Sequence, residues 1–225
     1  MSDLQDRNPR FTPAAGYHFL TPFYDAGVAI TTRERRWRGR LVELMAPAPD
    51  DIILDVGSGT GNLALAIARR GGGARYLGID PDDAATRIAR DKTARLSPQP
   101  DFRVGFFTAA SIAAWPMPTK VTICLVLHQV GLAEKARLLR EAWLCLAPGG
   151  QLYIADYGEQ RSRLMRILFR LTIQQLDGVA DTQPNADGCL PALIGEAGFE
   201  TLCEEPALKT VTGAISIMSA RKPMA

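Results

Sequence analysis

The chain has 225 residues, 47% of them hydrophobic and 22% charged, an ordinary globular balance for one α/β domain with a full core. Its formal net charge of +2 is too small to argue for nucleic-acid binding from the total alone. Four scattered cysteines (Cys124, Cys145, Cys189, Cys203) with no Cys-x-x-Cys pair, and only two histidines, argue against a metal site, while no apolar run reaches the ~20 residues of a membrane span.

Residues 1–16 are polar and carry Pro9, Pro13 and Gly16, and Met1 to Arg10 lacks the apolar segment of a signal peptide. We expect them to be mobile or loosely docked, and the protein to be cytoplasmic. Residues 17–30 are rich in aromatics: Tyr17, Phe19, Phe23 and Tyr24. Thr31 to Met45 should form a helix with an apolar face of Leu41, Leu44 and Met45 and a separate arginine face of Arg33, Arg36 and Arg40. Pro47 and Pro49 end it, and Ile52 to Val56 reads as a first strand.

The strand runs into Asp55-Val56-Gly57-Ser58-Gly59-Thr60-Gly61, followed by helix-forming residues to Arg70. Glycine permits φ > 0 and close approach of a ligand to the backbone, and a helix start offers unpaired N–H groups. The spacing is neither the dinucleotide fingerprint G-x-G-x-x-G nor the phosphate loop G-x-x-x-x-G-K-[ST]. An acid two residues before the first glycine suits a ligand that carries an ammonium or hydroxyls. The segment resembles the first motif of class I S-adenosylmethionine (SAM)-dependent methyltransferases.

Arg75 to Asp80 is the second strand, and its terminal acid lies where a Rossmann-type fold places a ribose-binding carboxylate. Pro81 opens a loop, and a helix is expected from about Asp82 to Leu96. Helix N-capping is the alternative role for Asp80. Phe102 to Phe107 is a short third strand. Val121 to Leu127 is an apolar run typical of a central parallel strand, and it leads into His128-Gln129-Val130. Leu132, Ala136, Leu139, Trp143 and Leu146 mark an amphipathic helix, stopped by Ala147-Pro148-Gly149-Gly150 before a fifth strand from Gln151 to Asp156. Ser162 to Leu176 should be helical, with Arg163, Arg166 and Arg170 beside Leu164, Ile167, Leu168 and Leu171. Asp181 to Cys189 reads as turns and Leu190 to Ala197 as a short helix. Phe199 to Glu204 and Gly213 to Ala220 read as the last strands.

The resemblance extends from about Leu20 to Pro223 and is to UbiE-like methyltransferases of the quinone-biosynthesis type. It rests on the glycine motif, the Leu-x-Pro-Gly-Gly block before Asp156, Leu127-His128-Gln129-Val130, and the Tyr24-Asp25 segment. It implies one α/β domain over 1–225: a Rossmann-like three-layer sandwich over 50–223, with a seven-stranded, mostly parallel sheet in the order 3-2-1-4-5-7-6, and N-terminal lid helices over 1–45. It also implies SAM as cofactor, S-adenosylhomocysteine as product, and a small hydrophobic acceptor such as a quinone-like ring, a lipid or a natural product. Asp55, Gly57, Ser58, Gly59 and Gly61 would hold the methionine end, with Asp80 and Pro81 at the ribose and Thr108 and Leu127 at further cofactor contacts. His128, Tyr24 and Asp156 are the candidates for acceptor chemistry. The family's acid after the third strand is missing here, where the chain reads Gly105-Phe106-Phe107-Thr108-Ala109-Ala110-Ser111.

The alternatives are a SAM-binding protein of the same fold without methyl transfer (cyclase-like or regulatory), a phospholipid N-methyltransferase, and a nicotinamide-dependent oxidoreductase, against which the glycine spacing argues. A nucleic-acid partner is not expected. The arginine stripes beside apolar faces would suit peripheral membrane contact, and a monomer or a homodimer is compatible with the sequence.

Overall fold

The computed structural model describes residues 32–71 and 73–224. Five parallel strands form the centre of one sheet: β1 (Ile52–Val56), β2 (Arg75–Asp80), β3 (Asp101–Val104), β4 (Lys120–Cys124) and β5 (Gln151–Tyr157). Three antiparallel strands complete it: β6 (Glu200–Glu204), β7 (Leu208–Thr210) and β8 (Gly213–Arg221). The order is β3-β2-β1-β4-β5-β8-β6, with β7 paired to β8. This is the expected order, with the short β7 added as an eighth strand that folds back on the start of β8.

Alternation along the buried strands builds two cores. Leu54, Val56, Leu77, Ile79, Val121, Ile123, Leu152 and Ile154 face one side. There they meet α4 (Leu132–Cys145) and α8 (Leu190–Glu196) through Leu138, Leu139, Ala142, Leu193 and Ile194. Ile53, Tyr76, Tyr153, Ala155 and Tyr157 face the other side. They meet α1 (Glu34–Met45), α2 (Asn62–Arg69) and α5 (Arg163–Leu171) through Trp37, Leu41, Leu63, Ile67 and Phe169. The α1 helix, expected within a lid, is therefore a layer of the sandwich, with Trp37 and Leu41 fully buried.

Several elements differ from the sequence reading. The fourth strand stops at Cys124, because Leu125 takes a left-handed φ of 54° and turns the chain out of the sheet. Residues 127–129 then form one 3₁₀ turn. The buried stripe of α4 is Lys135, Leu138, Leu139, Ala142 and Cys145, while Leu132 is half exposed. The long helix expected at 162–176 breaks at Thr172 into α5 and α6 (Ile173–Asp177), since Thr172 leaves helical geometry at φ −119°. The stretch read as turns is helical: α7 spans Val179–Ala186 and tolerates Pro184 in its second half. The remaining helix, α3 (Asp83–Thr93), is capped by Asp82, whose carboxylate accepts from the N–H groups of Ala84 and Ala85. No described helix is long and apolar enough to cross a membrane.

Candidate active site

The turn between β1 and α2 sits at the carboxyl end of the parallel strands, where ligands of open α/β sheets bind. Two glycines are required there for different reasons. A side chain at Gly57 (φ 73°) would collide with Val126 of the β4–α4 loop, so that loop packs directly on the turn. Gly59 (φ 50°) has no described atom within 4 Å of the position a Cβ would take, so it needs glycine for its backbone, and the described residues leave space above it. Gly61 starts α2 and packs against Ala89 and Phe102.

Asp80 holds this turn from the end of β2. Its Oδ2 accepts from the Gly59 N–H at 2.8 Å, and its Oδ1 accepts from the Asp82 N–H at 2.8 Å. Burial raises its pKa, and the two backbone N–H bonds oppose the rise. Helix capping, the other role considered for Asp80, falls to Asp82. Pro81 follows at a half-buried position.

Asp55 lies beneath the turn rather than on its surface. Its register partners on the flanking strands are Gly78 and Thr122. Thr122 donates its hydroxyl to Asp55 Oδ1 at 2.6 Å, and the Tyr76 hydroxyl donates to Oδ2. Burial pushes the Asp55 carboxyl up to about 6, against the pull of these two hydrogen bonds and of the Arg38 charge. Ser58 is buried, and its Oγ has no hydrogen-bond partner among the described residues. A buried hydroxyl without a described partner, in the same turn as a buried carboxylate that is ionised at neutral pH, suits a polar ligand with a cationic group. The residues present therefore fit the methionine end of SAM.

Across the Gly57–Val126 contact stands a second cluster. His128 is buried and donates from Nδ1 to Asp156 Oδ1 at 2.6 Å. Its Nε2 lies 3.5 Å from Asp177 Oδ2 at the end of α6. Burial disfavours the imidazolium, but the two carboxylates outweigh it and raise the pKa to about 9. Asp156 also accepts from the N–H groups of Leu127 and Tyr157, both at 2.7 Å. It thus pins the β4–α4 loop to β5 rather than capping a helix. The Tyr157 ring meets His128 edge-on at a centroid distance of 4.9 Å, and Phe169 lies behind it at 5.2 Å. Lys135, fully buried, ties the same loop to α7 by donating to the carbonyls of Leu127, Val130 and Asp181.

Two expected cofactor contacts look different in three dimensions. Leu127 is a core residue: its side chain is fully buried, its N–H is bound to Asp156 and its carbonyl to Lys135. Thr108 is folded onto Ser111 in a reciprocal turn, its N–H donating to Ser111 Oγ and its Oγ1 accepting from the Ser111 N–H. Tyr24 lies outside the described residues. Among the described residues no group of His, Cys, Asp or Glu is placed to hold a metal ion.

Sequence reasoning missed Tyr76, Thr122, Lys135 and Asp177. Two of these carried a signal: Thr122 is a lone hydroxyl inside an apolar run, and Lys135 sits between the stripe positions of its helix.

Known proteins resemble this chain in sequence and in fold. Residues 53–150 match the methyltransferase domain family model. The chain is 32% identical over 145 residues to demethylmenaquinone methyltransferase of Thermus thermophilus, covering 63% of each chain. It is 31% identical over 163 residues to the ubiquinone/menaquinone biosynthesis C-methyltransferase UbiE of Geobacter sulfurreducens, covering 69% of this chain and 59% of that one. The chain thus spans less than two thirds of the length of these curated relatives. Human N-acetylserotonin methyltransferase, solved in complex with SAM, superposes with a TM-score of 0.68 at 17% identity over 97% of this chain and 60% of that one, a likeness of fold. Residues 53–150 are thus similar to methyltransferase domains, on a sheet that shares the fold of a SAM-dependent methyltransferase. The longer sequence similarity, over 145 and 163 residues, is to UbiE-type quinone methyltransferases.

Proposed function

We propose that this protein transfers the methyl group of SAM to a small hydrophobic acceptor, with a quinone-like ring as the leading class. The observation that carries the reading is the Gly57–Gly61 turn, open above Gly59 and held from below by Asp80. The names of the two relatives support a quinone-type acceptor.

When bound, SAM supplies an activated methyl on a sulfonium and leaves as S-adenosylhomocysteine. The chain's own residues bind, align and exclude water. Gly59 leaves room for the ligand, and Asp80 fixes the Gly59 N–H while keeping carboxylate lone pairs for ribose hydroxyls. Pro81 fixes the exit of β2 beside that carboxylate. Asp55 acts as buried negative charge under the ammonium of the methionine end, and Ser58 Oγ supplies a hydroxyl there. Orienting an acceptor against the methyl supplies much of the rate in such a reaction.

We assign His128 the acceptor side. With a pKa of about 9 it is an imidazolium at neutral pH and a hydrogen-bond donor to acceptor oxygen, not a free base. The Nε2 contact to Asp177 is long at 3.5 Å, so an acceptor hydroxyl or carbonyl can take that partner's place. Tyr24 is assigned, in this reading, to the acceptor side together with His128.

The test is calorimetric titration with SAM, together with a labelled-methyl assay on an extract of the native organism. Gly59→Arg fills the open space over the turn, and should abolish detectable SAM binding with the fold retained by circular dichroism. Unchanged SAM affinity in that variant would refute the assignment of the turn. SAM binding without any S-adenosylhomocysteine formed would favour the non-transferring alternative.

A further inference from the structure

The α5–α7 segment carries an apolar surface that no described element covers. Of the thirteen large apolar side chains exposed among the described residues, five fall within positions 164–179: Leu164 (61%), Ile167 (54%), Leu171 (67%), Leu176 (75%) and Val179 (53%). Leu164, Ile167 and Leu171 follow the helical spacing of one face. The opposite face, Met165 and Phe169, is buried in the domain. Arg163, Arg166 and Arg170 form a third stripe between these two, and α5 contains no acid. Nothing in a solitary globular domain calls for that arrangement, since a core-facing helix normally turns its outer face polar.

We propose that α5, α6 and α7 form a docking face for an anionic lipid bilayer. The apolar ridge enters the acyl boundary, and the arginine stripe beside it meets lipid phosphates, as in an interfacial amphipathic helix. Between α5 and α7 runs a groove of about 370 Å³, lined by Arg166, Phe169, Arg170, Gln174, Val179 and Gln183, with both arginines on its rim. It offers a phosphate the Arg170 guanidinium next to the ridge, while Arg166 already lies 3.9 Å from Asp187 and can turn from that exposed pair to the phosphate.

Charge selects this occupant over two others. A second copy seated across a two-fold axis would bring the arginine stripe against its own image, a like-charge contact. Residues 1–31 of the chain hold three acids (Asp3, Asp6, Asp25) and two arginines (Arg7, Arg10), too nearly neutral to complement the stripe.

The face also joins the site. Phe169, on the inner side of α5, packs on Tyr157, and Tyr157 packs on His128. Asp177, which faces His128 Nε2, follows Leu176 directly on α6. A lipid-soluble acceptor partitioned into the bilayer is thereby delivered within two side chains of His128; this delivery role rests on the hydrophobic-acceptor reading above, whereas the docking does not.

The test uses the full chain and sedimented vesicles of phosphatidylcholine alone or mixed equally with phosphatidylglycerol. The wild-type protein should bind the mixed vesicles and leave the neutral ones, with affinity falling as salt is added. Ile167→Glu/Leu171→Glu and Arg163→Glu/Arg170→Glu should each weaken that binding by about tenfold or more. Both alter exposed positions, so SAM titration in the same preparations should be unchanged. Absence of wild-type binding to the mixed vesicles would overturn the proposal, as would double variants that bind like wild type. A wild-type dimer that Ile167→Glu/Leu171→Glu dissociates in sedimentation velocity would assign the face to a second copy and overturn it equally. Failure of SAM binding with vesicle binding intact would instead sink the methyl-transfer reading and leave the docking face standing.

Discussion

The His128 cluster makes the stability of this protein depend on pH in a direction opposite to that of an ordinary carboxylate pair. The imidazolium is favoured in the fold by Asp156 and Asp177 to the point that its pKa reaches about 9, against 6.5 for an unperturbed histidine. A group whose pKa is raised by folding adds its full stabilisation below the unfolded value, here about pH 6.5. It loses that stabilisation as the pH climbs through the folded value. The gap is worth about 3 kcal/mol at ~1.4 kcal/mol per pH unit, a sizeable share of a typical domain's stability. His128→Asn keeps a neutral amide donor in place of Nδ1–H and removes the charge. The assay is urea unfolding followed by tryptophan fluorescence at several pH values between 6 and 10, for both proteins. Wild type should exceed the variant by about 3 kcal/mol more at pH 6.5 than at pH 9.5. A difference between the two proteins that stays constant across this range would show that His128 is neutral in the fold, and would refute the assignment of an imidazolium.

Activity carries the same signature: if His128 acts as a cationic donor, turnover falls above about pH 9, whereas a general base would make it rise toward that pH. His128→Ala should lower turnover by ~10²-fold or more in either case. SAM affinity should increase as the pH rises through about 6, where Asp55 ionises and gains a charge for the ligand's ammonium, and Asp55→Asn should flatten that dependence in calorimetry. Gly57→Ala should destabilise the chain by ~1–3 kcal/mol through its clash with Val126 and its positive φ, and Val126→Ala should recover part of that loss; no recovery would mean that the turn and the β4–α4 loop are not coupled. Lys135→Ala should cost ~3 kcal/mol or more in denaturant unfolding, because it strands three buried carbonyl contacts.

The strand-turn-helix at Ile52 to Gly61 was legible because its signals are local. A five-residue strand of branched apolar residues around Asp55, alternate glycines and an alanine-rich helix lie side by side in sequence, and the structure returns β1 with the same bounds. The second strand and its terminal Asp80 were legible for the same reason. Elements failed where a single backbone angle decided them. Leu125 at φ 54° ends β4 three residues before the end of a nearly continuous apolar run, and Thr172 cuts one periodic helix in two. Periodicity carries no information on either turn.

The sequence by itself determined the class of ligand, the order of strands through its resemblance to a known family, and which acids stand at strand ends. The tertiary structure alone decided what those acids do. Asp55 meets Tyr76 from 21 residues away and Thr122 from 67, and His128 meets Asp156 from 28. Charge state depends on burial and on such distant partners, because an ion loses its hydration in the core and regains stabilisation only from groups the fold brings within hydrogen-bond reach. That is why one carboxylate here sits near 6 and the histidine near 9, and why the motif residues could be located in the chain before their chemistry could be assigned.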